Sequence, residues 1–302
     1  MKSNLHHLHK FHSLSEFHKM FGLAKPEHPL VSFIRLEDMT IPEGLPDQMV
    51  LDFYKIAYKD TIGSAKYGQH HYDFGEGGLV FTAPGQLFEK PRNNKSKGFL
   101  VLLHPDFLLT YPLAKKIRQY GFFSYATDEA LQVSEKEKET LFSVFNIIDE
   151  ELRNRIDDFS QDLVISQIEL LLNYSSRYYK RQFITFKAVN DHLIEKFEKV
   201  LDHYFNDDEK LQNGMPTVQN IADQLNVSAS YLSDMLRSLT GLNTQQHIHN
   251  RFVETAKDIL STTDLSVSQI AYHMGFDYPQ SFTRLFKSKT NQTPLEFRQS
   301  FN

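Results

Sequence analysis

Near the C-terminus, a set of polar and basic side chains is spaced so that its members share one face of a helix. They are Tyr278, Gln280, Thr283, Arg284 and Lys287. Between them Phe282, Leu285 and Phe286 recur at the helical spacing and must face inward. Arginine can donate two hydrogen bonds to guanine, glutamine can pair with adenine, and lysine holds phosphates. The spacing therefore predicts a basic surface that fits a DNA major groove, with Lys289 beside it as a further phosphate contact.

The residues in front of this surface have the pattern of a helix, a tight turn and a second helix. Apolar residues at 270, 271 and 274 share one face of a short first helix. Gly275 can adopt the positive φ that a tight turn needs. We expect the Asp277 carboxylate to cap the second helix by accepting from the amide of Gln280, with Pro279 in the first turn. The pattern is typical of a helix-turn-helix unit whose second helix enters the groove.

A second copy of the pattern lies upstream, at 221–240. Ser228 occupies the place of Asp277, and Leu232 that of Phe282. Its outward candidates for DNA contact are Ser228, Ser230, Tyr231 and Arg237. Asp234 stands where the other unit has Arg284, so we expect the first unit to attract DNA less strongly. Two matched units in tandem are much less expected by chance than one.

The two units, joined by a long helix predicted over 244–260, resemble the DNA-binding domain of the AraC/XylS family of bacterial transcription regulators. The resemblance covers about the last third of the chain. The residues that carry it, in the family's order and spacing, are Ile270-Ala271, Gly275-Phe276, Ser281-Phe282, Arg284, Phe286-Lys287, Thr293-Pro294 and Phe297-Arg298. Asn291 departs from the family, which usually has glycine there, but asparagine tolerates a left-handed backbone. The resemblance implies a sequence-specific regulator that binds double-stranded DNA, with a homodimer and RNA polymerase as further partners.

The first third of the chain has short runs rich in β-branched and aromatic residues. Residues 1–25 are His-rich and predict an amphipathic helix that ends near Gly22. The runs at 29–36, 49–58, 68–74, 78–82 and 98–103 predict strands. They favour a small antiparallel barrel over about 28–104. The resemblance implies that this barrel is cupin-like and senses a small molecule, with Tyr54, His70, Tyr72 and Phe81 as candidate contacts.

The middle of the chain is predicted to be helical over 112–119, 134–156 and 160–183. Ser134 and Glu137 have the spacing of a capping box. The last two helices can cover the barrel with one face and form a dimer interface with the other. The predicted fold class is thus α+β with two domains: a sensor and dimerisation domain at 1–184, a linker at 185–190, and an all-α DNA-binding domain at 191–302.

Composition bounds the function further. The chain of 302 residues contains no cysteine, which excludes disulfides, thiolate catalysis and cysteine-based zinc sites. No apolar run approaches the roughly 20 residues that a membrane span needs, so we expect a cytoplasmic protein. The net charge is −5, yet the last basic residues cluster together, so DNA binding is expected to be local and salt-sensitive.

Two alternatives to a ligand-controlled regulator stay open. One is a cupin-type metalloenzyme with an appended DNA-binding domain; the other is a constitutive regulator without a ligand. Adjacent His70 and His71 point to opposite faces of a strand, and no histidine pair with a following glutamate has cupin spacing. We therefore predict no metal, no cofactor and no catalytic residue, and a protein that is not an enzyme.

Overall fold

The computed structural model describes residues 8–46, 48–60, 65–67, 70–72, 77–89, 97–154, 157 and 159–300. For 65–67, 70–72, 89, 187 and 188 it describes the backbone and not the side chains. The chain separates into two compact units, Met1–Thr185 and Phe186–Asn302. The first is built from strands and helices and the second from helices, which gives the two-part α+β architecture that the sequence predicts.

The strands of the first unit form three sheets. They are β1 (Leu8–Phe11), β2 (Val31–Arg35), β3 (Gln48–Leu51), β4 (Tyr54–Lys59), β5 (Ala65–Tyr67), β6 (His70–Tyr72), β7 (Gly78–Thr82), β8 (Leu87–Glu89), β9 (Gly98–Leu103) and β10 (Leu131–Gln132). The largest sheet has the order β10-β7-β4-β9-β2 and is antiparallel throughout. A second has the order β1-β3-β8, with β1 parallel to β3, and β5 pairs with β6. Within the part of the chain that the structure describes, these pairings form open sheets, not the closed barrel predicted for 28–104.

Two sequence predictions for the first unit, one for a strand and one for a helix, are wrong. The run at 49–58 is not one strand, because the chain leaves β3 at Leu51 and starts β4 at Tyr54 in a different sheet. The amphipathic helix of residues 1–25 is shorter than predicted, since β1 precedes it and pairs with β3. The helix itself, α1 (Leu14–Met20), does end at the predicted place, where Gly22 has a φ of +68°.

The five-stranded sheet packs on both of its faces, which matters for the residues of β4. On one face, Tyr54 lies 5.0 Å from Phe123 and Tyr58 lies 4.8 Å from Phe142, measured between ring centroids. On the other face, Ala57 and its neighbours on β9 belong to a buried apolar cluster with residues of β1, α1 and β3. Residues of β4 therefore alternate between a helix-facing side and a side that faces the three-stranded sheet.

The remaining helices of the first unit are α2 (Leu113–Lys116), α3 (Glu135–Arg153) and α4 (Ser160–Thr185), with 3-10 turns at Leu36–Asp38, Pro105–Leu108, Ile117–Gln119 and Gly121–Ser124. The predicted capping box at the start of α3 is confirmed, because the Ser134 side chain accepts from the amide of Glu137 while the Glu137 side chain accepts from the amide of Ser134. Asp149 of α3 binds Arg35 of β2 at 3.2 Å and Arg153 at 2.6 Å. This partly buried ion cluster fixes α3 on the sheet.

The second unit consists of α5 (Lys187–Phe205), α6 (Asp208–Gln212), α7 (Val218–Leu225), α8 (Ala229–Thr240), α9 (Thr244–Thr262), α10 (Val267–His273), α11 (Pro279–Thr290) and α12 (Pro294–Gln299). Its first helix starts at Lys187, so most of the segment predicted as a linker, 185–190, is helical. Thr217 caps α7, accepting from the amide of Asn220 at 3.1 Å. Of the helices described in either unit, none combines the length and apolar character needed to cross a membrane.

Candidate DNA-binding surface

The two predicted helix-turn-helix units, α7-α8 and α10-α11, have the same pattern of hydrogen bonds in their turns. In the first, Asn226 has a φ of +55° and the Val227 amide donates to the Ala222 carbonyl at 3.1 Å. In the second, Gly275 has a φ of +76° and the Phe276 amide donates to the Ala271 carbonyl at 2.9 Å. In each unit the left-handed residue ends the first helix and returns an apolar residue toward the core. The internal repeat predicted from sequence is therefore a structural repeat.

The starts of the second helices differ between the units. Ser228 caps α8 by accepting from the amide of Tyr231 at 3.1 Å, as predicted. The prediction that Asp277 caps α11 is wrong, because the cap residue is Tyr278, whose side chain makes no capping hydrogen bond. Pro279 fixes the first helical residue and holds the residue before it in an extended conformation. Asp277 lies one residue too early to reach the free amides, and it is exposed.

The inward side of α11 consists of aromatic rings that pack on two other helices. Phe282 and Phe286 are fully buried. The ring of Phe282 lies 5.9 Å from that of Phe252 on α9, and the ring of Phe286 lies 5.6 Å from that of Phe297 on α12. Burying a large side chain of this kind is worth roughly 1.5 to 3 kcal/mol. The rings therefore fix which face of α11 points outward.

The C-terminal turn of α11 matches the sequence prediction, and a capped helix follows it. Asn291 has a φ of +60°, so the turn that glycine usually makes in the family is retained. Thr293 caps α12 in a capping box with Glu296, and these hydrogen bonds lower the pKa of the Glu296 carboxyl. Arg298 donates to the carbonyls of Leu260 at 3.0 Å and Leu265 at 2.6 Å. Arg298 therefore ties α12 to the end of α9, and it does not belong to the outward basic surface.

The outward side of α11 carries the predicted polar and basic residues together. Tyr278 is 69% exposed, and Gln280, Arg284, Lys287 and Lys289 are exposed as well. Thr283 is half-buried, and its hydroxyl donates to the Pro279 carbonyl at 3.1 Å. Among the described residues, the cations of Arg284, Lys287 and Lys289 have no carboxylate within 4 Å. We call this set, Tyr278, Gln280, Thr283, Arg284, Lys287 and Lys289, the α11 surface.

The charge of the α11 surface acts on His249 of the neighbouring α9. His249 is half-buried there, and burial followed by the charge of Lys289 lowers the pKa of its imidazole. The lowered pKa favours the neutral imidazole, whose ring nitrogens can accept or donate hydrogen bonds without adding charge. The sequence prediction did not single out His249, since a lone histidine on a helix carries no signal of its own.

The outward side of α8 is less basic than the α11 surface. Arg237 is exposed, but its guanidinium lies 3.2 Å from the carboxylate of Asp234. Ser228 and Ser230 are half-buried. Tyr231, predicted to face outward, is only 3% exposed and shares the inner side of α8 with Leu232 and Met235. Its outward placement was wrong because Tyr231 and Met235 are four residues apart, so both fall on the apolar stripe.

Of the candidate effector contacts of the first unit, Tyr54 and Phe81 pack against the same ring. Tyr54 is 7% exposed and Phe81 is 3% exposed, and both rings lie on the helix-facing side of the sheet, against Phe123. The backbones of His70 and Tyr72 lie in β6, while their side chains are outside the part that the structure describes. A search of the described residues finds no group of three or more His, Asp or Glu that could hold a metal ion.

Two helix-turn-helix units in tandem, one of them with a basic second helix, define a class of DNA-binding domain. Comparison with known proteins identifies that class. Residues 221–300 match a family described as a helix-turn-helix domain. The C-terminal region of the chain therefore carries an AraC-type helix-turn-helix DNA-binding domain. The matched residues begin with α7 and run into α12, so they include both units.

Individual relatives match over part of their length. The chain is 34% identical over 79 residues to the HTH-type transcriptional activator RhaS of Escherichia coli O157:H7, covering 26% of this chain and 28% of the relative. It is 24% identical over 119 residues to histidine kinase P4 of Formosa agariphila, covering 39% of this chain and 8% of the relative. The chain thus spans less than a third of the length of either relative. The activator is a regulator of transcription of the helix-turn-helix type.

Among solved structures, the C-terminal domain of the two-component response regulator yesN from Fusobacterium nucleatum is similar at 27% identity, with a TM-score of 0.30. The match covers 33% of this chain and 96% of that domain.

Proposed function

We propose that the chain is a sequence-specific regulator of transcription that binds double-stranded DNA through α8 and α11. The observation that carries the proposal is the α11 surface: three cations without carboxylate partners among the described residues, on a helix whose other side is fixed by buried rings. Cations held in this way can neutralise phosphates and read base edges without first breaking an ion pair.

The two second helices have unequal parts in this proposal. Arg284 and Gln280 read bases, while Lys287 and Lys289 hold phosphates. In the first unit, Arg237 must break its ion pair with Asp234 before it can contact DNA. This unit therefore contributes mainly to the register of the protein on the duplex. Helix α9 has 19 residues and is about 28 Å long, which suits two reading helices about one DNA turn, or roughly 34 Å, apart.

In this proposal the first unit has two roles: it is a sensor and it forms the dimer interface. Residues 1–184 would respond to a small molecule, as in a cupin-like domain, and α4 would pair with its copy in a second chain. The support is an apolar stripe on α4, where Leu163 is 48% exposed and Leu170 is 40% exposed. A ligand that prefers one arrangement of the dimer would change how the domains at 191–302 meet DNA.

The test is selection of binding sites from random duplexes with the full chain, followed by affinity measurements on the selected site. Arg284→Ala is expected to cost about 1 to 3 kcal/mol and relax the sequence preference at one base position. Lys287→Ala should weaken all duplexes about equally and reduce the salt dependence by roughly one released ion. Lys199→Ala is the matched control, because Lys199 is an exposed cation of α5 that is paired with Glu195 at 2.6 Å.

Selection that yields no preferred sequence would overturn the proposal. So would variants of the α11 surface that bind as well as Lys199→Ala does. Stoichiometric iron or zinc in the purified protein would instead favour the metalloenzyme alternative.

A further inference from the structure

Two lysines of β4, Lys55 and Lys59, lie on the side of the five-stranded sheet that faces the three-stranded sheet. Residues four apart on a strand point to the same face. Ala57, midway between them, is 3% exposed and packs in the apolar cluster with Leu100 and Leu102 of β9. The Lys55 ammonium lies 3.8 Å from the centroid of the Phe88 ring on β8. Lys55 therefore reaches from one sheet to the other.

The two ammonium groups place like charges on one face of the sheet. Among the described residues, no Asp or Glu lies within 4 Å of either nitrogen. Burial, followed by the charge of Lys59, lowers the pKa of Lys55 to about 7, and burial also lowers the pKa of Lys59. Both side chains keep part of their surface exposed, so solvent relieves some of this penalty. Placing two like charges on an inner face is unfavourable unless something compensates them.

The neighbours of the pair supply one further hydrogen-bonding group and apolar walls. Thr82 of β7 is directly opposite Lys55 in the β4-β7 register and is 3% exposed. Val80, opposite Ala57, and Phe88 are half-buried. The face thus combines two cations, a hydroxyl and apolar surface that water still reaches in part. An anion with an apolar body is complementary to such a surface.

We propose that Lys55 and Lys59 bind the carboxylate of the small molecule that the first unit senses, and that this molecule is an organic acid with an apolar body. The inference rests on the proposed function, because it names the ligand class of the sensor. The carboxylate lies between the two ammonium groups and accepts hydrogen bonds from them. The apolar body contacts Phe88 and Val80. Tyr54 and Phe81, on the opposite face of the sheet, have no part in this site.

The alternative explanation is that both lysines have a structural role only: they pack their methylene stems and extend their charges toward solvent. Methionine separates the two explanations, since it keeps an unbranched apolar stem and removes the charge. Arginine is the companion variant, since it keeps the charge. If the lysines serve packing alone, methionine at either position leaves ligand affinity unchanged.

The experiment is calorimetric titration of the full chain with hexanoate, decanoate, benzoate and phenylacetate, each against its neutral amide. We expect at least one acid to bind, and its amide to bind at least tenfold more weakly. Lys55→Met and Lys59→Met should each lower the affinity for that acid by tenfold or more, while Lys55→Arg retains most of it. Lys138→Met is the matched control, because the Lys138 ammonium also lies over a ring, 5.8 Å from the Phe142 centroid, but on α3.

Two results would overturn the inference: no acid of the series binds at millimolar concentration, or the methionine variants bind as the wild type does. DNA binding is measured on the same preparations. If DNA binds and no acid does, the lysine site fails and the regulator proposal stands. If an acid binds through the lysines and no duplex is preferred, the ligand site stands and the proposed function fails.

Discussion

Gly275 lies so close to Gly214 that a Cβ on Gly275 would be 2.2 Å from the Gly214 backbone nitrogen. The contact joins the turn of the second helix-turn-helix unit to the loop that follows α6. The Gly214 carbonyl in turn accepts a hydrogen bond from the hydroxyl of Tyr204 on α5, at 2.6 Å. The position of α10 and α11 thus depends on a backbone-to-backbone approach that only glycine allows.

We predict that Gly275→Ala destabilises the second unit and weakens DNA binding with it. Gly275 has a φ of +76°, and the added methyl group must also displace backbone. The expected loss of unfolding free energy is about 2 to 4 kcal/mol. Gly241→Ala is the control, since Gly241 has a φ of +82° but open space around its Cβ position, and it should cost only about 1 kcal/mol. Urea unfolding of both variants measures the difference; equal losses would mean that the close approach contributes nothing.

The sequence predicted the second unit better than the first, for a physical reason. Helix and turn signals are local: Gly275 and Asn291 both take the left-handed conformation that their residue types suggested. The sheet pairings of the first unit join distant segments. No local sequence signal therefore indicated the break between β3 and β4. Tyr231 was misplaced because one polar atom on a ring says little about burial. Lys55 was missed because alternation along a strand shows which residues share a face but not that a second sheet covers this face.

The ion pair between Asp234 and Arg237 leads to a prediction about the first unit. The carboxylate holds the guanidinium at 3.2 Å and adds a negative charge to the outer side of α8. Asp234→Asn removes that charge and releases Arg237, so DNA affinity should rise about two- to tenfold, and more at low salt than at high salt. Anisotropy titrations at two salt concentrations measure it.

Asp258→Asn, which neutralises an exposed carboxylate of α9, is the matched control and should change affinity much less. If Asp234→Asn weakens binding, the pair positions Arg237 for DNA and does not hold it back.

The exposed leucines of α4 lead to a prediction about assembly. Leu163 and Leu170 are seven residues apart and therefore on one side of the helix. Leu163→Glu with Leu170→Glu should convert a dimer to a monomer, because a carboxylate buried at an interface is costly. Light scattering during gel filtration reports the mass. Leu109→Glu is the control, since Leu109 is 71% exposed and lies outside α4. Wild-type chain that is monomeric at micromolar concentration, or a double variant that stays dimeric, would contradict the α4 interface.

The lowered pKa of Lys55 predicts how stability depends on pH. Unfolding restores the ordinary pKa of 10.5, whereas the folded value is about 7. Between these values the unfolded chain binds more protons than the folded chain, so the free energy of unfolding rises with pH across this window. Below about pH 7 the folded state carries the full cost of the buried charge, and above about pH 10.5 neither state does.

Lys55→Met removes this contribution, so the free energy of unfolding should rise by on the order of 1 to 2 kcal/mol near pH 6.5, and the gain should shrink toward zero by pH 10. Unfolding in urea at pH 6.5, 8 and 9.5 measures the trend, with Lys138→Met as the control whose effect should not vary in that way. A gain from Lys55→Met that is the same at all three pH values would show that Lys55 is charged in the folded protein throughout, and that its environment does not disfavour the ammonium form.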